Sequence, residues 1–141
     1  MAESRQLQQA RQCLAAAEAS FTSGDGLARL HEGLAHLDDI IGAGRAPEAQ
    51  TAGNLAASYA NRVYARIRTR LAQDAQVPEP ELEHYFKMVL AFDPVREALP
   101  SAADDLKIAV VKALIERYYE GYPAEKKRQA LEQLTALRGQ D

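Results

Sequence analysis

The chain has 141 residues and a mass of 15.5 kDa, which is the size of one ordinary domain. Hydrophobic residues make up 47% and charged residues 26%, so the composition supports a packed core and excludes global disorder. The formal net charge of −3 excludes a general attraction to nucleic acids or anionic lipids, so any such attraction has to be local.

Helical periodicity is present from the start of the chain. Apolar side chains recur at spacings of three and four, and Ala and Leu (27 and 16 residues) outnumber Val, Ile and Thr (15 together), which favours helix over strand. The first helix is predicted over 4–23 and the second over 27–41. The Gly-Asp-Gly stretch at 24–26 is the predicted turn between them, and Gly-Ala-Gly at 42–44 ends the second helix.

Prolines divide the rest of the chain into four further helices. The third is predicted from Pro47 to about 76, because proline is well tolerated in the first turn of a helix. The fourth is predicted over 80–93 and ends there because the residue before Pro94 disfavours helix. The last two are predicted over 101–121 and 123–139.

These six helices predict an all-α protein that forms a single domain over 1–141. Short connections place them as three antiparallel helix-turn-helix pairs, at about 4–42, 47–93 and 101–139. Each pair would bury its apolar stripe against the next, as in a solenoid. A nonrepetitive helical bundle is the alternative, since the helical stripes alone do not separate the two arrangements.

The middle pair carries a more specific pattern. Its first helix contains Tyr-Ala-Asn-Arg at 59–62, and its second contains Phe86 and Val89 and ends with Leu-Ala-Phe-Asp-Pro at 90–94. These residues resemble the tetratricopeptide repeat (TPR) family, in which similar Tyr-x-Asn-Arg stretches occur in members that bind peptide tails. The resemblance implies a TPR-like superhelix of degenerate repeats whose first helices line a concave surface for an extended peptide. It also implies that Asn61 lies where the family often contacts its ligand.

The polar face of the third helix is the candidate site. No acidic residue lies between Ala49 and Gln73, whereas arginine is abundant there. Arginine can hold a carboxylate through two parallel N–H bonds, and asparagine can both donate to and accept from a peptide backbone. We therefore predict that this face binds an acidic or carboxylate-ending segment. The predicted peptide-binding residues lie at helical spacing along one side of the helix: Asn54, Ser58, Asn61, Arg62, Arg66 and Arg70.

A structural interpretation of the same arginines stays open. They can face solvent, or pair with Glu79, Glu81 and Glu83 at the contact with the fourth helix. Exposed pairs of that kind contribute only about 0–1 kcal/mol.

The other chemistry-bearing residues predict no site. His31 and His36 are five residues apart, so they diverge around their helix and no metal site is predicted from them. Cys13 lies among alanines and is interpreted as a small helix-packing side chain; as the one cysteine it also excludes an internal disulfide. His84 is expected to remain solvated. No catalytic residue and no cofactor are predicted.

The function favoured by these observations is a noncatalytic protein–protein interaction module, or scaffold, that binds a peptide segment in a helical groove. The first alternative is a helical nucleic-acid-binding protein whose third-helix arginines follow phosphates, and the second is a small all-α enzyme using His31, His36 or Asp39. The expected partner is a protein or peptide, with a second copy of the chain as a further candidate. Nucleic acid is not expected, because the chain is acidic.

The cellular setting is predicted from what the sequence contains. No run of 18 apolar residues occurs, so no membrane partner is expected, and the N-terminal residues lack the apolar stretch of a signal peptide. Together with the free thiol, this predicts a cytoplasmic protein. The excess of 12 Arg over 5 Lys, with abundant Ala, fits a GC-rich bacterial gene.

Overall fold

The structure, a computed structural model, describes residues 4–45, 47–74, 76–120 and 123–139. Every regular element in these ranges is a helix, which confirms the predicted all-α class. Six α-helices and one 3₁₀ helix (Asp93–Ala98) are present there. The α-helices are α1 (Arg5–Ala19), α2 (Gly24–Ala43), α3 (Glu48–Gln73), α4 (Glu79–Leu90), α5 (Ser101–Tyr118) and α6 (Ala124–Gly139).

The boundary between α1 and α2 differs from the prediction. The stretch at 24–26 forms the first turn of α2, so its interpretation as a turn between the helices was wrong. The physical reason is Ser23, whose hydroxyl oxygen accepts from the Gly26 N–H at 3.0 Å and so caps the helix. At the other end, Gly44 forms a left-handed cap with a φ of 67°.

The end of α4 also differs from the prediction. The α-helix ends at Leu90, and a 3₁₀ helix starts at Asp93 with Pro94 in its first turn. Proline has a fixed φ that suits a helical turn, and the N–H it lacks has no partner in a first turn. Pro94 was expected to end α4. Instead it lies in the first turn of the short 3₁₀ helix that follows α4.

Polar contacts define how α1 runs relative to α3. The Ser4 N–H, at the start of α1, donates to the Glu48 carboxylate at the start of α3 over 2.7 Å. Near the end of α1, Glu18 accepts from Arg62 over 3.2 Å. Contacts therefore follow the same order along both helices, and α1 and α3 are parallel.

The last turns of α3 and α5 also lie side by side. Arg117 in α5 donates to the Leu71 carbonyl oxygen at 2.6 Å and to the Asp74 carbonyl oxygen at 2.9 Å, at the end of α3. These two carbonyls have no hydrogen-bond donor within α3. Arg117 therefore satisfies acceptors that the helix C-terminus leaves unpaired. In addition, α3 contacts α2 and α4, and α5 contacts α4 and α6.

The core lies between these helices and is apolar. With tyrosine counted as hydrophobic, no polar or charged residue is buried in the described part of the chain. Complete burial of one large apolar side chain contributes about 1.5–3 kcal/mol, so this core accounts for most of the driving force for folding. Its largest fully buried members are Tyr64, Tyr85, Phe92, Leu7, Leu14, Leu30, Leu34, Leu37, Ile67, Met88 and Leu114. Within the described ranges, no helix has the length and apolar character needed to cross a bilayer.

Candidate functional site

The exposed side of α3 presents a row of polar side chains. Asn54, Ser58, Asn61 and Arg62 are all exposed, and we call them the α3 polar row. They share one side of the helix because residues three or four apart lie next to each other on its surface. Among the residues that the structure describes, the side chains of Asn54, Ser58 and Asn61 have no hydrogen-bond partner. Three consecutive positions along this row are therefore available to an external ligand.

Arg62, at the end of the row, holds a carboxylate from the neighbouring helix. Its guanidinium donates to Glu18 over 3.2 Å and lies 5.2 Å from the centre of the Tyr59 ring. The side chains of Arg62 and Glu18 are 58% and 44% exposed, so water screens the pair. The position of Glu18 shows where an anionic group can be held at this end of the row, by a contact weak enough to exchange.

Arg66 has a structural role at the end of α1. Its guanidinium donates to the Glu18 backbone carbonyl at 3.1 Å and lies 4.1 Å from the centre of the Phe21 ring. The carbonyls in the last turn of a helix carry partial negative charge and lack helical partners. Arg66 thus caps α1 and packs over a buried ring of the next turn.

Arg70 is engaged at the contact between α3 and α4. Its Nε and Nη2 atoms donate to the two carboxylate oxygens of Glu81 at 2.7 and 3.1 Å, and its Nη1 atom donates to Asp74 at 3.1 Å. This geometry is the bidentate arginine–carboxylate pair. It confirms, for Arg70, the interpretation that the arginines pair with acidic residues of the fourth helix.

The same contact shifts the pKa values of its members. The hydrogen bonds from Arg70 lower the pKa of Glu81 below its ordinary value of 4.5, against the opposing effect of burial. Tyr85 donates its hydroxyl to Glu81. Burial, followed by this bond to a carboxylate, raises the pKa of Tyr85 to about 12. Glu81 therefore stays ionised and Tyr85 stays neutral over the physiological pH range, and Arg70 keeps its partner.

A small apolar cavity lies beneath Arg62 and Arg66. Its volume is about 30 Å³, which is room for roughly two water molecules. A space of this size does not admit a large peptide side chain, so a peptide would lie across the surface of α3 instead of inserting deeply. The cavity is lined mainly by apolar residues of α1, α2, α3 and α4: Leu14, Ala17, Leu30, Val63 and Met88.

The prediction that His84 stays solvated was wrong. This side chain joins α4 to the connection between α1 and α2. Its Nε2 atom lies 2.8 Å from the Phe21 carbonyl oxygen, in a partly buried contact. That backbone group lies outside any helix and needs a hydrogen-bond partner where water is scarce. The prediction failed because it considered only the residues near His84 in the sequence.

A second constellation lies between α1 and α2, and the sequence interpretation missed it. Cys13, Glu32 and His36 each offer a ligand atom, and these three atoms lie within 4.8 Å of one another. We call them the α1–α2 cluster. They line an open cleft of about 500 Å³, together with Arg29. Burial, and then the negative charge of Glu32, raises the pKa of the Cys13 thiol above its ordinary value.

A spacing in the sequence could have indicated part of this cluster. Glu32 and His36 are four residues apart and lie on one side of α2. The other histidine of α2, His31, is five residues from His36, and that spacing places the two histidines apart. The contribution of Cys13 depends on how α1 packs against α2, which the sequence alone does not display.

Comparison with known proteins gives this site no named relative. No family model, no curated protein and no solved structure matches the chain. Function is therefore inferred from the geometry of the two constellations.

Proposed function

We propose that the chain is a noncatalytic protein-interaction module and that the α3 polar row binds an extended acidic segment of a partner. The observation that carries the proposal is the row itself: three exposed polar side chains without partners in the described part of the chain, followed by Arg62 with an exchangeable carboxylate. The amide and hydroxyl groups can bond to a peptide backbone, and Arg62 can bind an acidic side chain.

Glu18 supports the choice of an acidic ligand. It places a carboxylate on Arg62 in an exposed pair, and such a pair contributes only about 0–1 kcal/mol. A ligand carboxylate that also gained bonds from Asn61 and Ser58 would compete well with it. Of the two other predicted arginines of the face, Arg66 bonds a backbone carbonyl and so adds positive charge beside the row, whereas the charge of Arg70 is neutralised by Glu81 and Asp74.

We infer that the helices form a TPR-like superhelix, which would place the row on its concave side. The parallel order of α1 and α3 supports this, as does a regular offset along the chain. Bonds between α1 and α3 join residues 44 or 48 apart (Ser4 with Glu48, Glu18 with Arg62 and with Arg66), and those between α3 and α5 join residues 43 and 46 apart. A similar offset between successive contacts is expected of stacked repeats, although this one is longer than the TPR period of about 34 residues.

The proposal is tested by fluorescence anisotropy with a labelled peptide of alternating glutamate and serine. Its counterpart with glutamine in place of glutamate is the neutral control ligand. We expect the wild-type protein to bind the acidic peptide, to bind it more weakly as salt rises, and not to bind the neutral peptide. Arg62→Glu should weaken binding by about tenfold or more, because it replaces an attractive contact with a repulsive one.

Two further variants make the test specific. Arg128→Glu changes the charge equally at an exposed arginine of α6 that also holds a carboxylate, Glu132 at 3.0 Å, and should leave binding nearly unchanged. Glu18→Gln removes the internal competitor and should tighten binding by up to about fivefold. Equal losses in the Arg62 and Arg128 variants, or no binding by the wild type, would contradict the proposal. Binding of a labelled RNA homopolymer that is lost with Arg62→Glu would favour the nucleic-acid alternative instead.

A further inference from the structure

The α1–α2 cluster combines three different kinds of metal ligand. Cys13 offers a sulfur from α1, and Glu32 and His36 offer an oxygen and a nitrogen from α2, all within 4.8 Å of one another. The three side chains are graded in exposure: Cys13 is buried, His36 is half-buried and Glu32 is exposed. The thiol thus lies at the floor of the cleft, and the carboxylate lies at its rim.

Close packing of the two helices brings the cysteine to the other ligands. A Cβ atom added at Gly33 would lie 3.0 Å from the Leu14 side chain and 3.1 Å from the Cys13 Cβ atom. Any larger residue at this position would require Leu14 or Cys13 to move by a few tenths of an ångström, so glycine favours the close approach of α1 to α2. Because Gly33 follows Glu32 directly, the same close approach that glycine favours holds the sulfur beside the carboxylate.

We propose that Cys13, Glu32 and His36 bind a divalent transition-metal ion, and that Zn²⁺ is the ion they fit best. Thiolate, imidazole and carboxylate are the three ligand types that zinc takes in proteins. A soft sulfur ligand disfavours Mg²⁺ and Ca²⁺, which prefer oxygen. Three protein ligands leave the fourth tetrahedral position to a water molecule or an external ligand from the open cleft.

The geometry requires only a small adjustment. Zinc bonds of about 2.0–2.3 Å place tetrahedral ligand atoms roughly 3.3–3.8 Å apart. Since the three atoms already lie within 4.8 Å of one another, the side chains need to close by at most about 1–1.5 Å. Glu32 is exposed and His36 only half-buried, so both can rotate toward Cys13 while the backbone stays in place.

His36 already has an outer partner. The Gln6 amide nitrogen lies 3.5 Å from His36 Nδ1 and 3.3 Å from an Asp39 carboxylate oxygen. An amide nitrogen can only donate, so this contact makes Nδ1 an acceptor. Metal binding through Nε2 would require the Gln6 amide to turn its oxygen toward a protonated Nδ1.

Arg29 is the group with which the metal has to compete. Its guanidinium pairs with Glu32 at 3.1 Å, and the two side chains are 56% and 51% exposed. Exposed pairs three residues apart on a helix are weak. A metal ion would take the Glu32 carboxylate, and Arg29 would turn into solvent.

The test is a metal titration of the full chain in reducing buffer. Competition with a chromophoric chelator gives the Zn²⁺ affinity and stoichiometry, and Co²⁺ gives a thiolate charge-transfer band as a direct readout of Cys13 ligation. We expect one ion per chain and a cobalt band that Cys13→Ala abolishes. Glu32→Gln and His36→Ala should weaken Zn²⁺ binding by roughly 100-fold, since loss of even an outer partner costs 10–100-fold.

Two further variants distinguish loss of a metal ligand from a general effect of substitution on the helix. His31→Ala removes an exposed histidine of the same helix and should leave the affinity unchanged. Arg29→Ala should raise the affinity by up to about fivefold by releasing Glu32. Absence of a cobalt–thiolate band in the wild type, or the same Zn²⁺ affinity in the Glu32, His36 and His31 variants, would overturn the proposal. Arg62→Glu should not alter Zn²⁺ affinity. Failure of the metal proposal can therefore be distinguished from failure of the peptide-binding proposal for the α3 polar row.

Discussion

Helix α1 meets its two neighbours in different ways. Against α2 it packs closely, with Gly33 where any larger residue would meet Leu14 and Cys13. Against α3 its contact is slight and is bridged by the long side chains of Arg62 and Arg66. A close contact fixes side chains through the backbone, whereas a bridged contact depends on groups that can exchange partners.

This difference separates the two proposed sites. The α1–α2 cluster is held by tightly packed helices, which suits a metal ion because metal ligands need fixed geometry. The α3 polar row lies beside an exposed ion pair, which suits a peptide that replaces one carboxylate with another. Substitutions at the two contacts should therefore differ in their effects on stability.

The largest effect is expected at the close contact. Gly33→Leu inserts a side chain where a Cβ atom alone would lie 3.0 Å from Leu14, so the core is overpacked. We expect a net loss of about 2 kcal/mol in the free energy of unfolding, after allowing for the better helix propensity of leucine. Urea denaturation followed by circular dichroism measures it.

A second glycine of α2 is the matched control. In the described part of the chain, no atom outside the local helix backbone lies within 4 Å of a Cβ atom added at Gly42. Gly42→Ala should therefore stabilise the protein by up to about 1 kcal/mol. Equal responses at the two positions would contradict the close packing of α1 on α2.

The next effect is expected at the bidentate pair between α3 and α4. Glu81→Gln removes the charge that Arg70 holds and should cost about 1–2 kcal/mol at neutral pH. The folded-state pKa of Glu81 is lowered by Arg70, so this stabilisation is complete above the ordinary pKa of 4.5 and is lost as pH falls through the lowered value. Urea denaturation at several pH values should show wild type and variant converging in acid. A constant difference at all pH values would exclude the charge as the cause.

The smallest effects are expected where arginine bridges α1 and α3. Arg66→Met loses the bond to the Glu18 carbonyl and the charge over Phe21, and should cost about 1 kcal/mol. Arg62→Met breaks only an exposed pair and should cost less than about 0.5 kcal/mol. Thermal denaturation of the two variants compares them. A larger loss for Arg62 would mean that its pair with Glu18 is too firm to exchange with a ligand.

The sequence predicts the helices well because their causes are local. Apolar spacing, prolines and the glycine at 44 place the six α-helices within a few residues of their observed bounds. The exceptions are also local in origin. Ser23 caps α2 directly before the stretch that was interpreted as a turn, and Pro94 lies in a 3₁₀ helix.

The candidate sites show the limit of such prediction. The α3 polar row was predictable because all its members lie on one helix. The partner of Arg70 was among the stated alternatives, and the contact with Glu81 confirms it. The α1–α2 cluster was not predicted, since Cys13 joins Glu32 only through the register of two helices, and that register depends on packing at Gly33.

If the two sides of α1 border two separate binding sites, backbone-amide NMR of one labelled sample should distinguish them. Zn²⁺ should shift the amide signals at 32–36 in α2 and leave those at 54–62 in α3 in place. The acidic peptide, added to the same sample, should shift the signals at 54–62 and leave those at 32–36 unchanged. Shifts of the same residues by both ligands, or no shift by either, would contradict the account.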